Sequence, residues 1–375
     1  MRPRQRYRLT LALALVAIIG GARAHAAQVV DAASVQKAAD ATAAHAARFK
    51  ALADRGAADE LVSAIRALPD VAPHGSIAHE QLLNRGLHEL GRLEPTPAAR
   101  AFVRESARLQ PQVYVRVDPD HGSHATPLYD PGATARFVLG KWTRTEARKT
   151  ALAALAAGQR WPIERFAQQD TAAELDAAQG GVVDAFQELA PRTLATLRDT
   201  LAAALNRGER VDELAAVAAE RLQDAELFAL VFAHADAAVA LKAISKASQT
   251  LDPAAQFEAL RTAAKRPELA SAATLQIGRL AGDEARARAH LFEQLTNPGV
   301  ADSAAAALAS LHDAAVASEV GRRLRSEPRE DMRRRLALAL QLDGSQAARA
   351  ELERFLEART GSTQLRKDVS AWLAH

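Results

Sequence analysis

The stretch VYVRVDPDHGSHATPLYDPG, residues 113–132, gathers carboxylates at Asp118, Asp120 and Asp130 and imidazoles at His121 and His124. These are enough nitrogen and oxygen donors for a divalent cation, and the chemistry they would serve is metal-dependent hydrolysis using the Asp118–Asp130 segment. A zinc site, however, wants ligands on rigid elements with further groups orienting them, and a His-x-x-His pair around Gly122 supplies neither by itself. The plainer expectation is a long ordered crossover between helices with no metal and no cofactor. Loops of this length are often binding elements. Read that way, Tyr114, Arg116, His121 and Tyr129 are the candidate partner contacts.

Two further pairs begin a zinc-protease pattern, His79-Glu80 and His88-Glu89, but Leu83 and Arg92 stand where the second histidine is needed. Both histidines therefore read as surface or boundary residues. Seven arginines fall within 14 residues, at 322, 323, 325, 329, 333, 334 and 335, against Glu327, Glu330 and Asp331. A solvated face laced with pairs such as Glu330–Arg334 accounts for most such runs. As a contact surface, Arg322, Arg323, Arg325, Arg333 and Arg334 would meet carboxylates or phosphates of an acidic partner. There is no G-x-S-x-G, no phosphate-cradling glycine loop and no dinucleotide fingerprint, and nothing brings a nucleophile to a base. Catalytic residues are not expected.

What must position these groups is a helical chain. Alanine, leucine and charge recur at helical spacing, aromatics are 4% of the residues, and the tryptophans Trp142, Trp161 and Trp372 read as packing anchors. At the start, MRPRQRYR is basic, LTLALALVAIIGG is apolar and ARAHAA carries small residues at A-x-A spacing. Residues 1–27 therefore read as a secretory signal peptide, with cleavage near Ala24–Ala27. They hold five of the 48 basic residues and none of the 45 acidic ones, so without them the formal charge falls from +3 to −2. The basic balance of a nucleic-acid binder is then missing. With no cysteine, disulfides and thiolate chemistry are excluded. After signal cleavage no stable membrane insertion is expected, and the location would be periplasmic or secreted.

Toward the C-terminus the helices acquire a period. Asp252, Asp283, Asp313 and Asp343 recur at spacings of 31, 30 and 30, and Pro267, Pro298 and Pro328 at 31 and 30. Each unit reads as a helix opened by aspartate, a turn at proline and a second helix. Phe257 and Leu260, Leu291 and Leu295, Val316, Val320 and Leu324, then Leu352, Phe355 and Leu356 mark one apolar face per first helix. Such hairpins bury their stripes only by stacking on copies of themselves.

PREDMRRRLALALQLDGSQAARAELERFLEA, residues 328–358, opens its second helix with basic residues, continues with Ala337, Ala339, Leu340 and Leu342, turns at Asp343 and closes on Leu352 and Leu356. In this it resembles the short HEAT-type repeat of bacterial phycobilisome-lyase-like helical arrays. PELASAATLQIGRLAGDEARARAHLFEQLTN and PGVADSAAAALASLHDAAVASEVGRRLRSE match it without the leading arginines. The resemblance spans about residues 252–375 and implies an α-α superhelix that makes protein contacts, with no chemistry of its own.

The expected fold class is all-α, a solenoid of antiparallel helix pairs with one irregular loop or short-strand insertion near 111–133. Its parts would be an N-terminal helical unit over 28–110, the insertion over 111–142, a middle helical unit over 143–251 broken at GQRWP, QGG, AP and NRGER, and repeats over 252–375 closed by Leu365, Val369, Trp372 and Leu373. The expected function is that of a non-enzymatic scaffold or adaptor for proteins of the cell envelope. An assembly factor or inhibitor of a secreted enzyme, and the metal-dependent hydrolase, are the alternatives.

Overall fold

The computed structural model describes residues 28–74, 76–117, 124–168 and 173–374. The signal-peptide expectation thus lies outside the described residues. Contacts divide the chain into two compact units that meet in sequence at Trp142 and Thr143. Among the described residues the structure is helical apart from one small sheet, and no helix is long and apolar enough to cross a membrane.

The first unit contains β1 (Gln28–Val30), α1 (Ala32–Asp54), α2 (Ala58–Arg66), α3 (Ile77–Leu90), α4 (Pro97–Ser106), β2 (Val113–Val117), β3 (His124–Pro127) and the start of α5 (Pro131–Ala156). The starts of α1, α3 and α4 carry side-chain caps. Asp31 accepts the Ser34 N–H at 2.7 Å, Ser76 accepts that of His79, and Thr96 accepts that of Ala99 with Pro97 in the first helical position, so the exposed donors of the first turns are satisfied. Phe49, Leu61, Ile65, Leu82, Leu87, Val103 and Trp142 close one core, and the Trp142 indole donates to the Leu93 carbonyl at 2.9 Å.

The short strand expected at the start of the insertion is present and forms part of a small sheet. β2 pairs in parallel with β1, Gln28 opposite Val113 and Val30 opposite Val115, and antiparallel with β3, Tyr114 opposite Pro127 and Val117 opposite His124. The alternation Val113, Val115, Val117 signals β2 in the sequence. Its partner β1, three residues long, carries no such signal.

The second unit continues α5 and adds α6 (Trp161–Gln168), α7 (Ala173–Glu188), α8 (Pro191–Asn206), α9 (Asp212–Leu222), α10 (Ala225–His234), α11 (Ala237–Thr250), α12 (Pro253–Ala263), α13 (Pro267–Leu280), α14 (Ala285–Gln294), α15 (Ala301–Ala309), α16 (Ala314–Ser326), α17 (Glu330–Asp343), α18 (Gln346–Glu357) and α19 (Thr363–Leu373). Most of these helices pack on their sequence neighbour and on the helix two further along: α10 on α12, α11 on α13, α13 on α15, α15 on α17, α16 on α18. That is solenoid packing, with a single core running through the stack from Ala151 to Val369. Alanines such as Ala218, Ala273, Ala305 and Ala337 are fully buried and let the layers approach closely.

Asp252 and Asp313 cap α12 and α16 as the period requires. Asp283 and Asp343 do not cap. Glu284 takes the first role, and Ser345 the second, because α17 runs through Asp343 and ends at Gly344 in the left-handed region at φ 62°. QGG does not break α7 either: a Cβ at Gly181 would stand 2.2 Å from the Arg144 carbonyl oxygen, so the glycine serves the close approach of α5. Leu342, in the repeat's leucine-bearing second helix, is exposed, and Trp161 is partly so, against the sequence reading of Trp161 as a packing anchor.

A device invisible to periodicity ties the stack together. Arg221 donates to the Gln187 and Leu189 carbonyls at the end of α7, Arg266 to those of Phe232 and Ala235 at the end of α10, at 2.9 and 2.7 Å, and Arg335 to that of Leu295 after α14 at 3.0 Å. In each case a guanidinium from a later helix satisfies the exposed acceptors, and the negative dipole end, of an earlier one.

Candidate functional site

The donors of the 113–132 stretch are not seen to converge. Asp118, Asp120 and His121 lie outside the described residues. His124 opens β3, and Arg116 sits in β2 opposite Ala125. Tyr114 is half-buried and its hydroxyl donates to the Pro111 carbonyl at 3.3 Å. Tyr129 is half-buried as well, and burial raises its phenol above the usual tyrosine range. The Asp130 carboxylate is occupied as a helix cap, accepting the Ala133 N–H at 2.7 Å. Among the described residues no group of three or more His, Asp or Glu is placed to hold a metal ion.

The arginine run is brought together, but with more acid than the local sequence shows. Arg322 forks onto Glu319 at 2.8 and 2.6 Å, and Arg323 reaches the same carboxylate at 2.6 Å. Arg329 pairs with Glu327 at 2.9 Å, Arg333 and Arg334 with Glu330 at 3.8 and 3.9 Å, and Arg335 with Asp331 at 3.4 Å. Arg325 crosses to Glu351 on α18 at 2.5 Å. Glu351 is 2% exposed; it also accepts from Ser318 at 3.2 Å and pairs with Arg354. Glu351 comes from outside the run and is packed against Gly321, so only the fold reveals that Arg325 is committed to an internal ion pair. Between α14, α16 and α17 lies a groove of about 300 Å³ lined by Phe292, Leu295, Arg323, Glu327, Arg329 and Met332. The Arg323 guanidinium stands 4.1 Å from the Phe292 ring centroid, a cation–π distance.

A third place differs from the sequence expectation. His79 is buried, 8% exposed, and its ring meets that of His74 edge-on with centroids 4.5 Å apart. Burial, with the neighbouring His74 adding to it, pushes the His79 pKa down to about 4, so the ring is neutral at neutral pH. The adjoining Glu80 is buried too. Its two oxygens accept the Gln112 and Val113 N–H groups at 2.6 and 3.2 Å and so fasten the start of β2 to α3, while burial raises its pKa. Both line a cleft of about 230 Å³ in the first unit, walled by Ile65, Leu83, Phe102 and Leu109. His79 and Leu83 share a helix face, and the period-3.6 pattern of α3 carries that signal; the part played by Gln112 has none. No protein-family model and no curated protein sequence matches this chain.

Proposed function

We propose that this chain is an exported helical-repeat protein that acts by contact, as a scaffold or adaptor for proteins of the cell envelope. One observation carries the reading: next-but-one helix packing in the second unit leaves a mixed groove, between α14, α16 and α17, where a guanidinium stands over an aromatic ring beside further arginines. Aromatic and arginine side chains are the groups on which protein interfaces concentrate their binding energy. A HEAT-type repeat would supply the same kind of surface, and the leader-like first 27 residues support envelope location. The partner would contribute carboxylates to Arg322, Arg323 and Arg329.

The test is site-specific photo-cross-linking in intact cells from Arg322 and Arg329, with Lys149 as a position outside the groove. Discrete envelope proteins captured at the first two and absent at the third support the proposal. Capture that is the same at all three, or fractionation of the chain to the cytoplasm, overturns it.

A further inference from the structure

The cleft between α2, α3 and α4 belongs to the first unit and has no part in the contact reading, so it stands or falls separately. We propose that it binds a small organic amine, an ammonium group on a compact apolar body.

Size sets the first limit. About 230 Å³ is below the roughly 300–1,000 Å³ of drug-sized sites, which leaves room for one ring or a branched chain with a single polar head. Ile65, Leu83, Phe102 and Leu109 supply the apolar wall, and Phe102 lies at the floor where Arg66 stacks over its ring at 5.7 Å.

The polar groups decide the sign. Gln112 Oε1 is buried against the cleft and has no hydrogen-bond donor among the described residues. A buried acceptor left unpaired is costly, so a ligand N–H placed there recovers what the unliganded fold forgoes. Glu105 lines the same cleft, and its carboxylate has no ion pair among the described residues. Glu80 adds a second carboxylate to the lining, its oxygens also holding the Gln112 and Val113 amides. The His79 ring, neutral for the reasons given above, contributes no opposing charge. Arg66 is the one guanidinium in the lining, and it is drawn onto the Phe102 face. An ammonium therefore meets two carboxylates and an unpaired carbonyl oxygen. A carboxylate of the same shape meets repulsion from Glu80 and Glu105.

The experiment titrates the full chain with phenethylamine and with its near-isostere of opposite charge, 3-phenylpropionate, by calorimetry and ligand-observed NMR. Saturable binding of the amine alone is expected, weakened at least about tenfold by Glu105→Gln and by Gln112→Met, since a hydrogen bond to a charged group is worth about that factor or more. Leu109→Trp, at an exposed position of the wall, should abolish binding while leaving the unfolding curve unchanged. Should Gln112→Met fail to fold, Glu105→Gln, on an exposed site, carries the test alone. Equal binding of amine and acid, no saturable amine binding by the unaltered chain, or unchanged amine affinity in Glu105→Gln overturns the proposal.

Discussion

Two adjacent glycines of α7 should respond to alanine with opposite sign. An added Cβ at Gly180 would meet the Arg144 guanidinium at 3.4 Å or more, ordinary contact with the far end of a long side chain. At Gly181 it would stand 2.2 Å from the Arg144 carbonyl oxygen and 2.9 Å from both the Arg148 amide nitrogen and the Ala147 Cβ, all fixed to the α5 backbone. Both sites lie within one helix, so each substitution brings the same gain of about 1 kcal/mol in helix propensity. Their difference isolates the packing term. For Gly181 that term is overpacking of about 1–3 kcal/mol. Separating α5 from α7 also strains the Arg144–Asp184 fork, at 2.6 and 2.7 Å, and the Arg148–Glu188 pair at 2.7 Å, partly exposed contacts worth up to about 1 kcal/mol each. Gly180→Ala should therefore stabilise by about 0.5–1 kcal/mol, and Gly181→Ala, once its propensity gain is subtracted, should destabilise by up to about 4 kcal/mol. Urea titrations followed by circular dichroism measure both. If the two variants shift the midpoint in the same direction by similar amounts, the close approach of α5 to α7 is wrong.

Other consequences are equally direct. Glu351→Ala removes a buried acceptor shared by Arg325, Arg354 and Ser318 and should cost about 1–3 kcal/mol in urea titration; a loss well under about 1 kcal/mol would mean that the pair is solvated. His79 has its pKa lowered in the fold, from 6.5 to about 4, so between these values the unfolded chain binds more protons than the folded one. Stability tied to His79 is full above that window and is lost as pH falls through it. His79→Leu removes this term, so relative to the variant the unaltered chain should lose up to about 3 kcal/mol from about pH 7 to about pH 4, and a pH-independent difference would refute the assignment. Glu80→Ala leaves the Gln112 and Val113 amides without acceptors at a cost of about 1–3 kcal/mol. Hydrogen exchange at those two amides should accelerate, and unchanged protection there would show another group holding β2.

Legibility in the sequence followed the length of each signal. The stripes Val316, Val320, Leu324 and Leu352, Phe355 are buried as their spacing predicts, because an amphipathic period must bury one face. Asp252 and Asp313 cap helices as expected, whereas Asp283 and Asp343 show that an aspartate at the right interval yields when a better-placed Glu284 or Ser345 follows it. The β1–β2 pair escaped because three residues, QVV, cannot display an alternation. The candidate site was legible in composition alone. Arg322 to Arg335 stood out, but the carboxylate of Glu351 and the clamping of Leu295 by Arg335 depend on approaches between helices that no local pattern encodes. His79 reads as superficial because an imidazole is polar, although its i, i+4 spacing to Leu83 already places it on the buried face of α3.

The parallel pairing of Gln28–Val30 with Val113–Val115 gives the two units different folding problems. Within the second unit almost every contact joins near neighbours in the chain, so it can grow by accretion, one hairpin docking on the last. The first unit cannot finish that way: its opening strand finds its partner only across the chain from Val30 to Val113, which holds α1 to α4. Closing so long a loop is entropically expensive, which makes this small sheet the slow and late event in an otherwise locally built molecule.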